Sequence, residues 1–263
     1  MKLLNCVTCI FVLFLFSLPS VYASNLEREK RMANEIVDTI LDGEAVFLKS
    51  DNLEFLTIFT EADNAKGVAI ILHGRGFHPD WQDAINPLRV GLVESGWSTL
   101  SVQMPVLEKQ AKYYDYVPVF PEALPRIDAA IKYARSKVAN QQAARVVSIA
   151  HSCGAHMAMA WVEKNIKISQ KIDAYIGIGM GATDYKQPME KPLPLDKLTV
   201  PILDVYADGD YPAVLKMAPE RLAMIKQAGN NKSEQIIVTD SAHYYRDRGE
   251  ELTRLISQWL QTL

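Results

Sequence analysis

A serine flanked by small residues is the strongest chemical signal in this sequence. Ser152 lies in the stretch Ala-His-Ser-Cys-Gly at 150–154, directly after an apolar strand pattern at 145–149 and before a helical one. A serine at so sharp a turn needs small neighbours, because the strained backbone brings other parts of the chain close. The helix that follows offers free N–H groups, which favour negative charge. The pattern predicts that Ser152 is a nucleophile.

A serine hydroxyl becomes nucleophilic when a histidine accepts its proton. Five histidines are present, and His243 follows the last predicted strand, which places it at the same edge of the sheet as the serine. We therefore predict His243 as the base. His73 ends an earlier strand and is predicted either to shape that loop or to contact the substrate. His151 and His156 flank the serine and are predicted to be buried structural residues.

The carboxylate that orients the base is expected in the turn after the strand predicted at 201–206. Asp208 and Asp210 both lie in this turn, and Asp210, at its far end, reaches better toward the base loop. We therefore prefer Asp210 and interpret Asp208 as a turn residue. Asp204 lies inside the strand, and Asp184, after the preceding strand, is a more distant alternative.

Two backbone N–H groups are expected to stabilise the developing oxyanion. One belongs to Cys153, the first residue of the helix after the serine, and the other to Arg75 in the turn His-Gly-Arg-Gly at 73–76. The alternative interpretation is that this turn only connects a strand to a helix. The Arg75 side chain is an additional candidate to bind a carboxylate or phosphate, whereas the Cys153 thiol is interpreted as a packing group.

Aromatic residues are concentrated in a long connection at 107–121. Connections that follow strand ends are where ligands bind in sheets of this kind. We predict Tyr113, Tyr114 and Tyr116 as substrate-contacting residues, with a packed surface loop as the alternative.

Apolar segments separated by helical patterns predict the elements that position these residues. A hairpin comes first, and strands and helices then alternate, which is typical of a mostly parallel eight-stranded sheet with helices on both faces. The predicted strands are 45–48, 53–59, 67–72, 98–102, 145–149, 174–179, 201–206 and 235–239, and the predicted helices are 83–94, 122–138, 154–161, 214–228 and 250–260.

The N-terminal residues have the pattern of a secretory signal peptide. Lys2 precedes an apolar run at 10–18, and a small-x-small cleavage signal ends at Ala23. We predict removal of residues 1–23, a helical lead-in at 24–43 and one α/β domain at 44–263. The alternative is a retained anchor, although the run is short for a membrane span. The mature protein is predicted to be periplasmic or secreted, without a stable membrane anchor.

Composition excludes several classes of function. Hydrophobic residues make up 49% and charged residues 22%, as in an ordinary soluble globular protein. The net charge of -3 and the lack of a dense basic cluster argue against nucleic acid binding. Beyond the predicted signal only Cys153 remains, so no internal disulfide can form. No metal-binding motif or glycine-rich nucleotide fingerprint occurs, and no metal or cofactor is predicted.

These motifs together resemble the α/β-hydrolase superfamily over most of residues 44–263. The resemblance lies in Ala-His-Ser-Cys-Gly, His-Gly-Arg-Gly, Asp-Gly-Asp and Ser-Ala-His, with Ala150 standing where a glycine is usual. The stretch at 73–81 further resembles an exported bacterial branch that has no assigned substrate. The resemblance implies an α/β-hydrolase fold and a serine hydrolase that cleaves a carboxylic ester or related acyl bond of a small molecule. The alternative is a non-catalytic binding or envelope-maintenance protein with this fold.

Overall fold

The protein is built around one twisted sheet. The computed structural model describes residues 23–50, 53–139, 141, 143–165, 167, 171–181 and 193–263. The strands are β1 (Glu44–Ser50), β2 (Leu53–Thr60), β3 (Gly67–Leu72), β4 (Ser98–Val102), β5 (Arg145–His151), β6 (Ala174–Ile178), β7 (Ile202–Gly209) and β8 (Glu234–Ala242). These eight described strands lie in the order β1-β2-β4-β3-β5-β6-β7-β8, with β2 antiparallel to β1 and β4 and the rest parallel. The predicted fold class is confirmed.

Helices cover both faces of the sheet. They are α1 (Leu26–Val37), α2 (Ile85–Glu94), α3 (Tyr113–Tyr116), α4 (Phe120–Lys137), α5 (Cys153–Lys164), α6 (Pro212–Ala228) and α7 (Gly249–Leu260). Strand β3 is buried along its whole length. Its Val68 and Ile70 face a cluster with α4 and α5, whereas Ala69 and Ile71 face a cluster with α2 and α7. Strands buried on both faces explain the unbroken apolar runs in the sequence.

The segment at 107–121 differs from the plain connection that the sequence predicts. It holds the single turn α3 and a 3₁₀ turn at Val117–Val119, and α4 begins at Phe120, two residues before the predicted start. The N–H of Lys112 donates to the Asp115 carboxylate at 2.7 Å, which stabilises the start of α3. Proline is favoured in the first turn of a helix, so Pro121 is compatible with the earlier start of α4.

Helix α1 is attached to the domain by a buried ion pair. Arg126 of α4 lies 2.7 Å from the Glu29 carboxylate, and both side chains are buried. Glu29 also accepts a hydrogen bond from the N–H of Val106 at 3.1 Å. Just before the helix, the N–H of Ser24 donates to the Glu122 carboxylate at 3.1 Å. These contacts join α1 and the residue before it to α4 and to the segment after β4.

The predicted signal peptide at 1–23 lies outside the described residues, apart from Ala23. Among the helices that the structure describes, none combines the length and the apolar character that a membrane crossing requires.

Candidate active site

Ser152 occupies the turn between β5 and α5. Its backbone has φ 54° and ψ -122°, a conformation that costs energy for a residue with a side chain. A Cβ atom on Gly154 would lie 2.4 Å from the carbonyl oxygen of His73, and one on Gly74 would lie 3.2 Å from Cβ of Ser152. The turn at 73–76 therefore packs directly against the serine turn, and only small residues allow this approach.

Ser152, His243 and Asp210 form a chain of two hydrogen bonds. Oγ of Ser152 lies 2.7 Å from Nε2 of His243, and Nδ1 of His243 lies 2.6 Å from Oδ1 of Asp210. Donation from Nδ1–H to the carboxylate leaves the Nε2 lone pair free to accept the serine proton. His243 and Asp210 are each 5% exposed, so little solvent competes for these bonds. The arrangement can transfer a proton from Ser152 to His243.

The electrostatic environment keeps Asp210 ionised. Burial raises the pKa of its carboxyl, but the hydrogen bond from His243 and the charge of that ring lower it, as does the N–H of Tyr211 at 2.7 Å. The net effect is a pKa below the usual value for aspartate. An ionised carboxylate is the form that can orient the imidazole and stabilise its cation.

The other aspartates of this region have different partners. Asp208 is exposed and accepts the N–H groups of Asp240 at 3.0 Å and Ser241 at 3.2 Å, so it holds the end of β8 directly before the histidine. Asp204 is fully buried and pairs with Arg221 at 2.8 Å. Asp184, the more distant alternative, lies outside the described residues.

The two predicted oxyanion donors lie in the segments that pack together at this turn. Cys153 is the first residue of α5, where a helix leaves its N–H groups without intrahelical partners. Arg75 lies in the turn that faces it. Burial raises the pKa of the Cys153 thiol to about 12, so the side chain is an inert packing group, as the sequence suggests.

His73 does not reach the substrate side of the site, and its predicted role as a substrate contact is wrong. It is 1% exposed, its Nδ1 donates to the carbonyl of Gly74 at 2.8 Å, and its Nε2 accepts the N–H of Met104 at 2.9 Å. Burial lowers the pKa of His73 to about 3, which keeps the ring neutral. The side chain instead joins the turn at 73–76 to the end of β4, as the alternative interpretation expects.

The histidines that flank the serine are buried and neutral. Burial and the neighbouring His243 lower the pKa of His151 to about 3, and burial lowers that of His156 to about 4. Nε2 of His151 donates to the backbone carbonyl of His243 at 2.9 Å. This bond holds the backbone of the base, a contact that the sequence does not indicate.

A cavity of about 680 Å³ opens over the serine. Tyr113 and Tyr114 lie in its mainly apolar wall, and their role as substrate contacts stays a prediction. Tyr116 does not line this cavity, because its ring is buried and its hydroxyl accepts the N–H of Leu107 at 2.9 Å. The prediction that Tyr116 contacts the substrate is therefore wrong for this cavity. The full lining is Arg75, Lys112, Tyr113, Tyr114, Ser152, Cys153, His156, Gly179, Gly181, Tyr211, Pro212, Ala213, Val214, His243 and Tyr244.

The start of α6 contributes a wall that the sequence reasoning missed. The ring of Tyr211 lies 4.3 Å from that of His243, and its hydroxyl is 2.9 Å from that of Tyr244. The only local signal is that Tyr211 directly follows Asp210. On the opposite side, the Arg75 guanidinium donates to the carbonyl of Ala111 at 2.7 Å and ties the turn at 73–76 to the aromatic segment.

No group of three or more histidine, cysteine, aspartate or glutamate side chains is arranged to hold a metal ion within the described part of the chain.

Comparison with known proteins places the chain in a family and gives its fold. The family model described as "Protein of unknown function (DUF3530)" matches residues 19–117 and 121–262. No curated protein matches the sequence.

Solved structures with the same fold have very different sequences. A dienelactone hydrolase of Anabaena variabilis is 16% identical, with a TM-score of 0.62 over 83% of this chain and 96% of its own. An esterase of Pyrococcus furiosus is 14% identical, with a TM-score of 0.62 over 83% of this chain and 90% of its own. An α/β serine hydrolase without a lid from Xanthomonas campestris is 12% identical, with a TM-score of 0.61 over 85% and 95%. These similarities show that the chain has the α/β-hydrolase fold.

Proposed function

The chain belongs to the DUF3530 family, and we propose that it is a serine hydrolase that cleaves carboxylic esters through an acyl-enzyme. The observation that carries the proposal is the chain of two short hydrogen bonds from Ser152 through His243 to Asp210. A binding protein has no need of a nucleophile, a base and a buried carboxylate in this order. The names of the similar structures, which include esterase and dienelactone hydrolase, favour an ester as the substrate.

The first half of the reaction forms the acyl-enzyme. Oγ of Ser152 attacks the ester carbonyl carbon while its proton passes to Nε2 of His243, and Asp210 stabilises the resulting imidazolium. The N–H groups of Arg75 and Cys153 donate to the oxygen that becomes negatively charged. The tetrahedral intermediate then collapses: the bond to the alcohol oxygen breaks, and His243 returns its proton to the leaving alcohol.

The second half of the reaction releases the acid. Water attacks the acyl carbon, its proton passes to His243, and a second tetrahedral intermediate forms in the same oxyanion site. Its collapse breaks the bond to Ser152, whose oxygen recovers the proton from His243. The predicted signal peptide leads us to propose that this reaction takes place in the periplasm or outside the cell.

A fluorophosphonate tests the proposal directly, because it reacts with an activated serine and needs no knowledge of the substrate. The wild-type protein should bind one equivalent, and the adduct should map to the peptide that contains Ser152. The variant Ser152→Ala should not be labelled, whereas Ser241→Ala, in the nearby base loop, should react like the wild type. A folded wild-type protein that resists labelling would overturn the proposal and favour the non-catalytic binding protein.

A further inference from the structure

A second cavity adjoins the catalytic one. It encloses about 600 Å³ between α1, the turn at 73–76 and the start of the aromatic segment. Arg75 and Tyr244 line both cavities, so these two side chains form the boundary between them. We call the second cavity the α1 groove. It is lined by Arg28, Arg31, Met32, Glu35, Ile36, Arg75, Gly76, Phe77, His78, Trp81, Glu108, Lys109, Ala111, Tyr116 and Tyr244.

Positive charge predominates in the α1 groove. The cations of its lining are Arg28, Arg31, Arg75 and Lys109, and its carboxylates are Glu35 and Glu108. Arg28 and Arg75 donate to backbone carbonyls of Leu107, Gly76 and Ala111, which orient the guanidinium groups without neutralising them. Arg31 and Lys109 are exposed, and neither forms an ion pair with another described residue.

A row of aromatic rings leads from the base into this groove. The ring of Tyr244 lies 5.1 Å from that of His243 and 5.5 Å from that of Phe77. Phe77 in turn stacks on Trp81, with ring centroids 4.1 Å apart and planes 5° apart. These rings can contact the body of a bound molecule while the cations around them hold an anionic end.

We propose that the α1 groove binds an anionic group, a carboxylate or a phosphate, on the alcohol half of the ester. This inference rests on the proposed function. The leaving alcohol takes its proton from His243, and Tyr244, the next residue, has its ring at the entrance to the groove. An alcohol that extends past Arg75 and Tyr244 reaches Arg31 and Lys109, which form no ion pair with a described carboxylate. Guanidinium and ammonium groups bind carboxylate and phosphate alike.

Two matched esters test the charge preference. The first is 3-carboxy-4-nitrophenyl butyrate, and the second is its uncharged 3-carboxamide counterpart, which differs only in the charge on the alcohol half. The wild-type protein should show a kcat/KM about fivefold higher for the carboxylate ester. The preference should fall in 1 M salt, where the Debye length is about 3 Å and exposed charges are screened. A phosphate-bearing alcohol then shows which anion is preferred.

Variants of exposed residues assign the preference to the groove. The double variant Arg31→Gln, Lys109→Gln should bring the ratio of the two esters close to one, mainly through a fall in kcat/KM for the carboxylate ester. Lys30→Gln removes one positive charge from the position next to Arg31 on α1, outside the groove lining, and should preserve the preference. Equal rates for the two esters, or a preference that survives the double variant, overturn the inference. In that case, continued hydrolysis of the carboxamide ester would still support the proposed function. A protein that hydrolyses neither ester and is not labelled by fluorophosphonate would instead overturn the proposed function itself.

Discussion

The edge of the sheet that carries Ser152, Asp210 and His243, called the catalytic edge here, and the α1 groove differ in how their charged groups are held. At the edge, Asp210 and His243 are each 5% exposed, and their hydrogen-bond partners are each other, backbone groups and the half-buried Ser152 hydroxyl. In the groove, Arg31 and Lys109 are exposed, and α1 is attached to the domain through the buried Glu29 and through Arg28. Proton transfer needs atoms held within a few tenths of an ångström, so the groups that perform it are packed from all sides. Recognition of a charged end needs no such precision and can depend on surface side chains.

Because the two regions differ in this way, the reactivity of Ser152 and the preference for a substrate can change independently. A substitution at the catalytic edge disturbs groups that share hydrogen bonds, so its effect spreads to the base and the nucleophile together. A substitution in the groove alters one exposed charge and leaves the edge intact. Reactivity and substrate preference are therefore expected to be separable in this molecule. The catalytic edge and the attachment of α1 are each open to test by substitution or by a change of pH.

The largest effect is expected when Asp210, one of the two aspartates at the end of β7, is substituted. Asp210→Asn removes the charge that stabilises the imidazolium and favours the wrong tautomer, so kcat should fall about 10⁴-fold. Asp208→Asn, only two positions away, changes a loop contact and should leave kcat within a few-fold of wild type. The measurement is steady-state hydrolysis of a p-nitrophenyl ester by both variants. If Asp208→Asn were the more damaging substitution, the assignment of the acid would be reversed.

A smaller effect is expected where α1 joins the domain. Glu29→Gln leaves the Arg126 guanidinium buried without its counter-charge, so the free energy of unfolding should fall by about 3–5 kcal/mol. Glu27→Gln, an exposed position of the same helix, should cost less than about 0.5 kcal/mol. Urea denaturation of both variants measures the difference. Equal stabilities would mean that α1 is not anchored by this pair.

The smallest effect is expected when the pH falls, because three buried histidines near the catalytic edge make the free energy of unfolding decrease at acid pH. His73, His151 and His156 have pKa values of about 3, 3 and 4 in the folded protein, below the 6.5 of an exposed histidine. Below pH 6.5 the unfolded chain therefore binds protons that the folded chain does not, and the folded state loses stability as the pH falls. The three groups together should lower the free energy of unfolding by about 2 kcal/mol between pH 7 and 6.

Denaturation series at these two pH values measure this decrease. In His156→Asn one titrating group is absent, so the loss between pH 7 and 6 should shrink by about a third. A variant whose loss matches that of the wild type would show that His156 binds protons equally in the folded and unfolded chains, so that burial does not lower its pKa.

The fold and the three residues at the catalytic edge follow from short-range patterns. Apolar runs of strand length, separated by helical periods, specify a parallel sheet, and the carboxyl ends of its strands meet at one edge. Ser152 is recognisable because the strained turn tolerates only small residues around it, a requirement that neighbours in the sequence must satisfy. Asp210 and His243 follow because each comes directly after a strand that ends at the same edge.

Short-range patterns do not show which side chains are buried or which distant residues come into contact, because both depend on how the elements pack together. The sequence suggests that His73 and Tyr116 are available to a substrate, but the packing of the segment at 104–107 against them buries both side chains. The bond from His151 to the His243 carbonyl joins residues 92 positions apart and has no local signal.

The amino-acid sequence alone determines the order of strands and helices, the strained serine turn and the residues that can serve as nucleophile, base and acid. Only the tertiary structure decides that α1 lies beside the turn at 73–76 and so creates a cationic groove next to the catalytic cavity. The physical reason is that neighbouring residues set the local preferences of the backbone. A cavity forms between surfaces that are distant in the sequence, and their contact depends on the packing of the whole chain.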